Sequence, residues 1–276
     1  MKWLIFIITH GPIIKAYYES DVLFSAENYA FFNVAEQKIS GPADYQVINR
    51  TDLPHFRPLG KKYAEGEAIY NIYKSGLYRD YDYVGFIHYD HELIDSRSGR
   101  YDITAQIKGI LEQGRLDEKE FIAFSGLNFI ADYNQEIMMD ERYPDKLTGH
   151  GRNCYLTIIQ EYNEYFHQDV SVASLKGKRL GLCSAFMCSR RNFGELMGFL
   201  SFIIEKGYLN KFDRKNKHRF PGGMLERYIG IFFSRFKLIE VPLAHRSRPN
   251  FKRLVKYFIY HNFLRFFVSK KYELKA

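Results

Sequence analysis

Asp90 and Glu92 stand two residues apart, just after the apolar run Tyr83-Val84-Gly85-Phe86-Ile87-His88-Tyr89. In an extended chain, side chains two apart share a face, so this spacing presents two carboxylates together while His91 turns away. Two hard oxygen donors on one edge, at the carboxyl end of a buried strand, suit a divalent cation that also holds a diphosphate. Spacing alone decides nothing, because rival pairs occur at Asp80 and Asp82, Glu65 and Glu67, and Glu118 and Glu120. Position separates some of them. Asp80 and Asp82 precede the apolar run, and Glu65 and Glu67 fall in a helical pattern, where residues two apart diverge. Open α/β sheets bind ligands at the carboxyl ends of their strands, which favours Asp90 and Glu92.

The elements that would position this pair follow from periodicity. Lys2 to Ile8 reads as a first buried strand, ended by the breaker-rich turn Thr9-His10-Gly11-Pro12. Thr9 and His10 at its exit are candidate nucleotide contacts, or simply satisfy the turn's backbone groups. Further strands are expected at 29–34 and 45–48, a loop at 52–58, and a helix from Lys61 to Leu77 on the stripe Tyr63, Ala64, Ile69, Tyr70, Ile72, Tyr73, Leu77. A helix at 103–113 leads to a strand at 121–124, which exits through Ser125-Gly126. Small residues there let a ligand approach the backbone, although an ordinary strand exit explains them equally. The polar, Tyr-rich stretch 131–167 reads as an irregular insert with one helix at 155–166.

A strand at 182–188 and a helix at 192–209 follow. A basic loop, 211–219, then precedes Pro221-Gly222-Gly223. A helix at 226–236 would place Glu226 near its start, where a carboxylate is favoured by the helix dipole. A last strand at 237–244 exits through His245-Arg246. Helices alternating with strands predict an α/β fold with a mixed, mostly parallel sheet flanked by helices.

The 276 residues suffice for one large domain with a sizeable core, and 46% hydrophobic content with 17% aromatics excludes a disordered chain. A formal charge of +8 favours an anionic partner: nucleic acid, a phospholipid surface or a phosphorylated small molecule. Cys154, Cys183 and Cys188 form neither an even disulfide framework nor a zinc spacing, and read as buried thiols. The apolar stretch Trp3 to Ile8 is short for a secretory signal, and no run approaches the roughly 18 apolar residues of a spanning helix. The expectation is a cytoplasmic protein, peripheral on the inner face of the membrane. Its tail, 251–271, interleaves Lys252, Arg253, Lys256, Arg265, Lys270 and Lys271 with bulky apolar residues. Such a pattern predicts a basic aromatic amphipathic helix lying in a membrane interface. A docked helix covering the core is the alternative. The expected division is a domain over 1–250 and a tail over 251–276.

The block Glu67-Ala68-Ile69-Tyr70-Asn71-Ile72-Tyr73-Lys74, followed by Tyr83 to Tyr89, resembles the helix and Gly-x-x-His-Tyr strand of the DUF4422 group of bacterial polysaccharide glycosyltransferases. Phe186 to Phe193 and Gly223-Met224-Leu225-Glu226-Arg227 resemble two later blocks, so the likeness extends from about residue 60 to 250. One departure stands out: the family's His-Tyr is usually followed by arginines, here by Asp90-His91. The resemblance implies a GT-A-like, Rossmann-like fold and sugar transfer from a nucleotide-sugar donor, UDP-linked, to a glycan or lipid-linked glycan acceptor. It also implies Mn²⁺ or Mg²⁺ on Asp90 and Glu92, with His245 completing the metal shell. A nitrogen ligand favours Mn²⁺.

Thr9, His10, Ser125, Gly126 and Arg246 become candidate donor contacts. If the reaction inverts configuration, Glu226 is the candidate base; if it retains, Glu226 orients the acceptor. Nucleic acid is not an expected partner under this reading. Two other readings compete: a metal-dependent phosphodiesterase or nuclease, for which only one good acidic pair is visible, and a non-catalytic membrane-associated binding protein.

Overall fold

The computed structural model describes residues 1–11, 13, 26–41, 45–89, 91–92, 103–125, 130–132, 151–175, 177–181, 184–209 and 220–245. In chain order its elements are β1 (Trp3–Thr9), β2 (Tyr29–Asn33), β3 (Gln46–Asn49), α1 (Glu65–Lys74), β4 (Tyr83–His88), β5 (His91–Glu92), α2 (Ile103–Glu112) and β6 (Glu120–Ser125). There follow β7 (Ile130–Asp132), α3 (Gly151–Phe166), β8 (Arg179–Gly181), β9 (Phe186–Ser189), α4 (Arg190–Glu205), α5 (Phe220–Phe233), β10 (Lys237–Pro242) and β11 (Ala244–His245). Two compact units divide the chain, Met1–Ala244 and His245–Ala276.

Seven strands form the main sheet in the order β10-β6-β9-β4-β1-β2-β3, and β7 and β8 form a separate two-stranded ladder. β1 is parallel to β2 and β4, β2 to β3, and β6 to β10. β9 alone runs antiparallel to its neighbours β4 and β6. The mostly parallel sheet expected from the alternation is therefore mixed at one strand.

Alternation along the strands explains why the sheet is covered on both faces. β1 is buried throughout. Leu4, Phe6 and Ile8 join a core shared with α1, α3, α4 and α5, while Trp3, Ile5 and Ile7 join a second core with Ile103, Ile107 and Leu111 of α2. A parallel strand buried on both faces reads as a continuous apolar run, as these do. Gly85, in the middle of β4, sits between Ile5 and Met187 on the neighbouring strands, and a Cβ there would lie 2.8 Å from Ile5 Cγ1. Cys188 is buried, and burial pushes its thiol pKa up, which keeps it an inert apolar filler.

Three local differences from the sequence reading matter for the site. The helix expected from Lys61 is broken: Lys61–Tyr63 form a 3-10 turn, Ala64 takes φ 48° and ψ −130°, and α1 begins at Glu65. The helix expected at 226 begins at Phe220 instead. Pro221 and the two glycines after it are its first turn, where a missing N–H costs nothing because those groups lack intrahelical partners. The helix expected at 192 begins at Arg190, with Ser189 Oγ accepting from Asn192 N at 3.2 Å. The 211–219 loop and the 251–276 tail lie outside the described residues.

Candidate functional site

The chain runs outward from β1 to β2 and β3, then returns to the far side of β1 as β4, so the strand order reverses between β1 and β4. Ligands of open α/β sheets bind beyond the carboxyl ends of strands at such a reversal. Here that edge carries a cleft of about 620 Å³. Its floor and one wall come from the exits of the first three strands: His10 after β1, Val34 to Gln37 after β2, and Arg50 after β3. The opposite wall is the segment from Pro58 to Ala64 with Glu67 of α1.

Two buried amides join the strand exits. Asn33 Nδ2 donates to Asn49 Oδ1 at 2.9 Å and to the Gln37 carbonyl at 2.8 Å, while Asn49 Oδ1 also accepts from Ile39 N. The turn after β2 is thereby pinned to the end of β3. Arg50 donates to the Val34 carbonyl at 3.1 Å, lies over the Phe56 ring at 5.2 Å, and is 3.9 Å from Glu67 Oε1. Across the cleft, Glu67 Oε2 accepts from the backbone N–H groups of Leu59 and Gly60, both at 2.6 Å. One turn further along α1, Asn71 accepts from Arg57 N at 2.7 Å and donates to Arg57 O at 2.9 Å. Two α1 residues four apart thus fasten the 57–60 wall to the helix.

Glu65, the first residue of α1, faces the reversal itself. Its Oε1 lies 3.4 Å from His10 Nε2 and 3.8 Å from His88 Nδ1. Burial pushes the Glu65 carboxyl pKa up, but the hydrogen bond from His10 and the charge of His88 outweigh it and hold the group near about 2. A carboxylate is therefore bridged to imidazoles from the ends of two adjacent strands. His10 also meets the Tyr89 ring edge-on at 6.1 Å, and Tyr89 is one of three exposed large hydrophobic residues among those described.

Of the sequence candidates, His10 lines the cleft. Thr9 is 1% exposed, and its hydroxyl donates to the Gly11 carbonyl at 2.8 Å and accepts from Gly11 N, so it closes the turn. Glu226 is half-buried in the second turn of α5, not near its start, so a helix-start role does not explain it. It shares a helix face with Gly222, four residues earlier. Gly222 packs on the backbone of Lys62 and Tyr63 and on Ala64, next to the cleft.

Ser125 ends β6, Glu92 lies on β5 and His245 on β11, with their side chains outside the description; Asp90, Gly126 and Arg246 lie outside it altogether. Among the described residues no group of three His, Cys, Asp or Glu side chains could hold a metal ion. Sequence reasoning passed over Glu65, His88, Arg50 and Glu67. The available signal was the pair of histidines at the exits of two strands, His10 and His88. Nothing local announced that a glutamate would lie between them.

The structure resembles the apo form of the bifunctional glycosyltransferase WbbM, with a TM-score of 0.62 and 15% identity over 90% of this chain. The fold is GT-A-like. This chain spans 46% of the WbbM chain. Weaker likenesses are to glucosyl-3-phosphoglycerate synthase from Mycobacterium tuberculosis in complex with Mn²⁺, UDP and phosphoglyceric acid (TM-score 0.40, 12% identity, 91% of this chain and 72% of that one). Another is to core-mannan synthase A from Aspergillus fumigatus in its Mn/GDP form (TM-score 0.37, 9% identity, 87% and 72%). No protein-family model matches the sequence, nor does any curated protein.

Proposed function

We propose that this chain is a glycosyltransferase that moves a sugar from a nucleotide-sugar donor, UDP-linked, to a polysaccharide or lipid-linked oligosaccharide acceptor. The observation that carries the reading is the cleft at the carboxyl ends of β1, β2 and β3 in a GT-A-like sheet, lined by His10, Arg50 and Lys61. A concave site with a few convergent polar groups, at a strand-order reversal, is where such a fold takes a nucleotide. The resemblance of its sequence blocks to the polysaccharide glycosyltransferase group is what suggests the acceptor class.

Asp90 and Glu92 are the proposed metal ligands, with His245 as the nitrogen donor; two carboxylates and an imidazole suit Mn²⁺. A bound divalent cation would neutralise charge on the departing diphosphate. The chain's own groups do the rest. His10 and Lys61 offer hydrogen bonds to the donor in the cleft, and Arg50, fixed by Val34 and Phe56, keeps the floor in shape. Ser125, Gly126 and Arg246 remain proposed donor contacts. In an inverting reaction Glu226 takes the acceptor hydroxyl proton; in a retaining one it orients the acceptor.

Turnover of a panel of UDP- and GDP-sugars, with and without Mn²⁺, tests the reading. Hydrolysis or transfer from at least one donor is expected, falling at least about 100-fold in Asp90→Ala, on the scale of losing one electrostatic contact to a developing charge. Failure to bind or turn over any donor would sink it. Full activity in Asp90→Ala would remove that residue from the metal set.

A further inference from the structure

Glu65 is shared by two histidines that belong to different strands: His10 leaves β1, and His88 ends β4. An ionised carboxylate accepts and never donates, so the His10 nitrogen that faces it, Nε2, carries a proton. Nδ1 of the same ring is then left for the cleft. The His10 side chain is 33% exposed and lines the cavity, and its other described contact is the edge of Tyr89.

The remaining charged groups on the cavity wall sort by whether the protein already uses them. Arg50 is committed to the Val34 carbonyl and lies close to Glu36 and Glu67, and Glu67 is committed to two backbone N–H groups. Lys61 has no carboxylate partner among the described residues. The second ring nitrogen of His10 and the Lys61 ammonium are thus the groups the cavity leaves for a ligand.

Resting on the glycosyltransferase reading, we propose that Glu65 is a positioning residue that fixes the His10 ring through Nε2–H, and that the His10 ring and Lys61 Nζ together hold the diphosphate of the donor. The ring gives Nε2–H to Glu65, which leaves its other nitrogen, with Lys61 Nζ, for an anion with oxygens to spare. A diphosphate supplies several, and a cavity of about 620 Å³ leaves room for the nucleoside behind it. The groups facing His10 are Glu65 from α1, His88 and Tyr89 from the end of β4, and Lys61, Arg50, Glu36 and Glu67 around the cavity. Glu65 is the one bonded to the ring.

Calorimetric titration of the full chain with inorganic pyrophosphate, UDP, GDP, UMP and GMP near neutral pH tests this. His10→Asn and Glu65→Gln should each weaken the diphosphates about tenfold, the scale of one charge-assisted hydrogen bond, and the monophosphates much less. The double variant should lose no more than either single one, because Glu65 acts through His10, and Glu65→Asp should recover part of the loss.

Additive losses, or diphosphate affinity unchanged in His10→Asn, would overturn the proposal. Melting curves identify a Glu65→Gln chain that has not folded. In that event His10→Asn and Lys61→Ala, both at exposed or half-exposed positions, decide alone by the same diphosphate-to-monophosphate ratio. Wild-type chain that binds pyrophosphate through His10 but no nucleotide would keep the anion site and defeat the glycosyltransferase reading. Binding neither would defeat both.

Discussion

At Glu65 burial and charge pull in opposite directions, and charge wins: the carboxyl pKa is held near about 2 by His10 and His88, against an ordinary value of 4.5. A carboxyl whose folded pKa is depressed stabilises the fold fully above its unfolded pKa and loses that contribution as pH falls through the folded one. The difference between wild type and Glu65→Gln should therefore be widest above about pH 4.5 and shrink between about pH 4.5 and 2. The shift bounds it at on the order of 3 kcal/mol. Urea unfolding at pH 5.5 and pH 3 measures it; equal stability at pH 5.5, or a gap that widens with acid, would contradict the assignment. At this scale the sequence was legible for the place of His10, which follows β1 and lines the cleft. It was opaque for Glu65, whose role depends on two rings that are 55 and 23 positions away in the chain yet within 4 Å in space. For Thr9 the structure favours the plainer reading, since its hydroxyl is used by its own turn.

Elements were more legible than the breaks between them. The apolar period runs through Tyr63 and Ala64 without interruption, so pattern alone extends the helix back to Lys61. What divides it is tertiary: the first turn of α5 packs against the 61–64 turn, and Gly222 is the contact. A Cβ on residue 222 would lie 3.0 Å from Tyr63 O, 3.2 Å from Ala64 Cβ and 3.2 Å from Lys62 O. Backbone oxygens cannot swing aside as a side chain can, so Gly222→Ala must displace either the helix or the cleft wall. It is expected to destabilise the fold by about 1–3 kcal/mol and to weaken nucleotide binding, because Lys61 and Ala64 line the cavity. Gly109→Ala is the matched control: it lies inside α2 with nothing within 4 Å of a new Cβ, and should stabilise by about 0.5–1 kcal/mol. Melting and UDP titration of both variants separate strain from loss of glycine freedom. Wild-type values for Gly222→Ala would show the contact to be slack.

On the scale of the whole molecule, net charge and the tail belong together. The formal charge is +8, and Lys252, Arg253, Lys256, Arg265, Lys270 and Lys271 are spaced among Phe, Leu and Ile over 251–271. No described helix is long and apolar enough to cross a membrane. A lipid-linked acceptor would still require the cleft to work near a bilayer, and a tail that lies in the interface, as its sequence pattern predicts, would supply that without spanning. Each cation near an anionic surface contributes about 1 kcal/mol, within a Debye length of about 8–10 Å, so attachment of this kind weakens with salt and vanishes on neutral lipid. The 276-residue chain should sediment with vesicles containing phosphatidylglycerol, and do so less at high ionic strength. A chain ending at Asn250 should stay in the supernatant while still binding nucleotide, since the cavity is lined by residues between His10 and Glu67. Equal sedimentation of the shortened chain would move the membrane contact onto the 1–250 body. Salt-independent binding would replace the electrostatic account with purely apolar insertion.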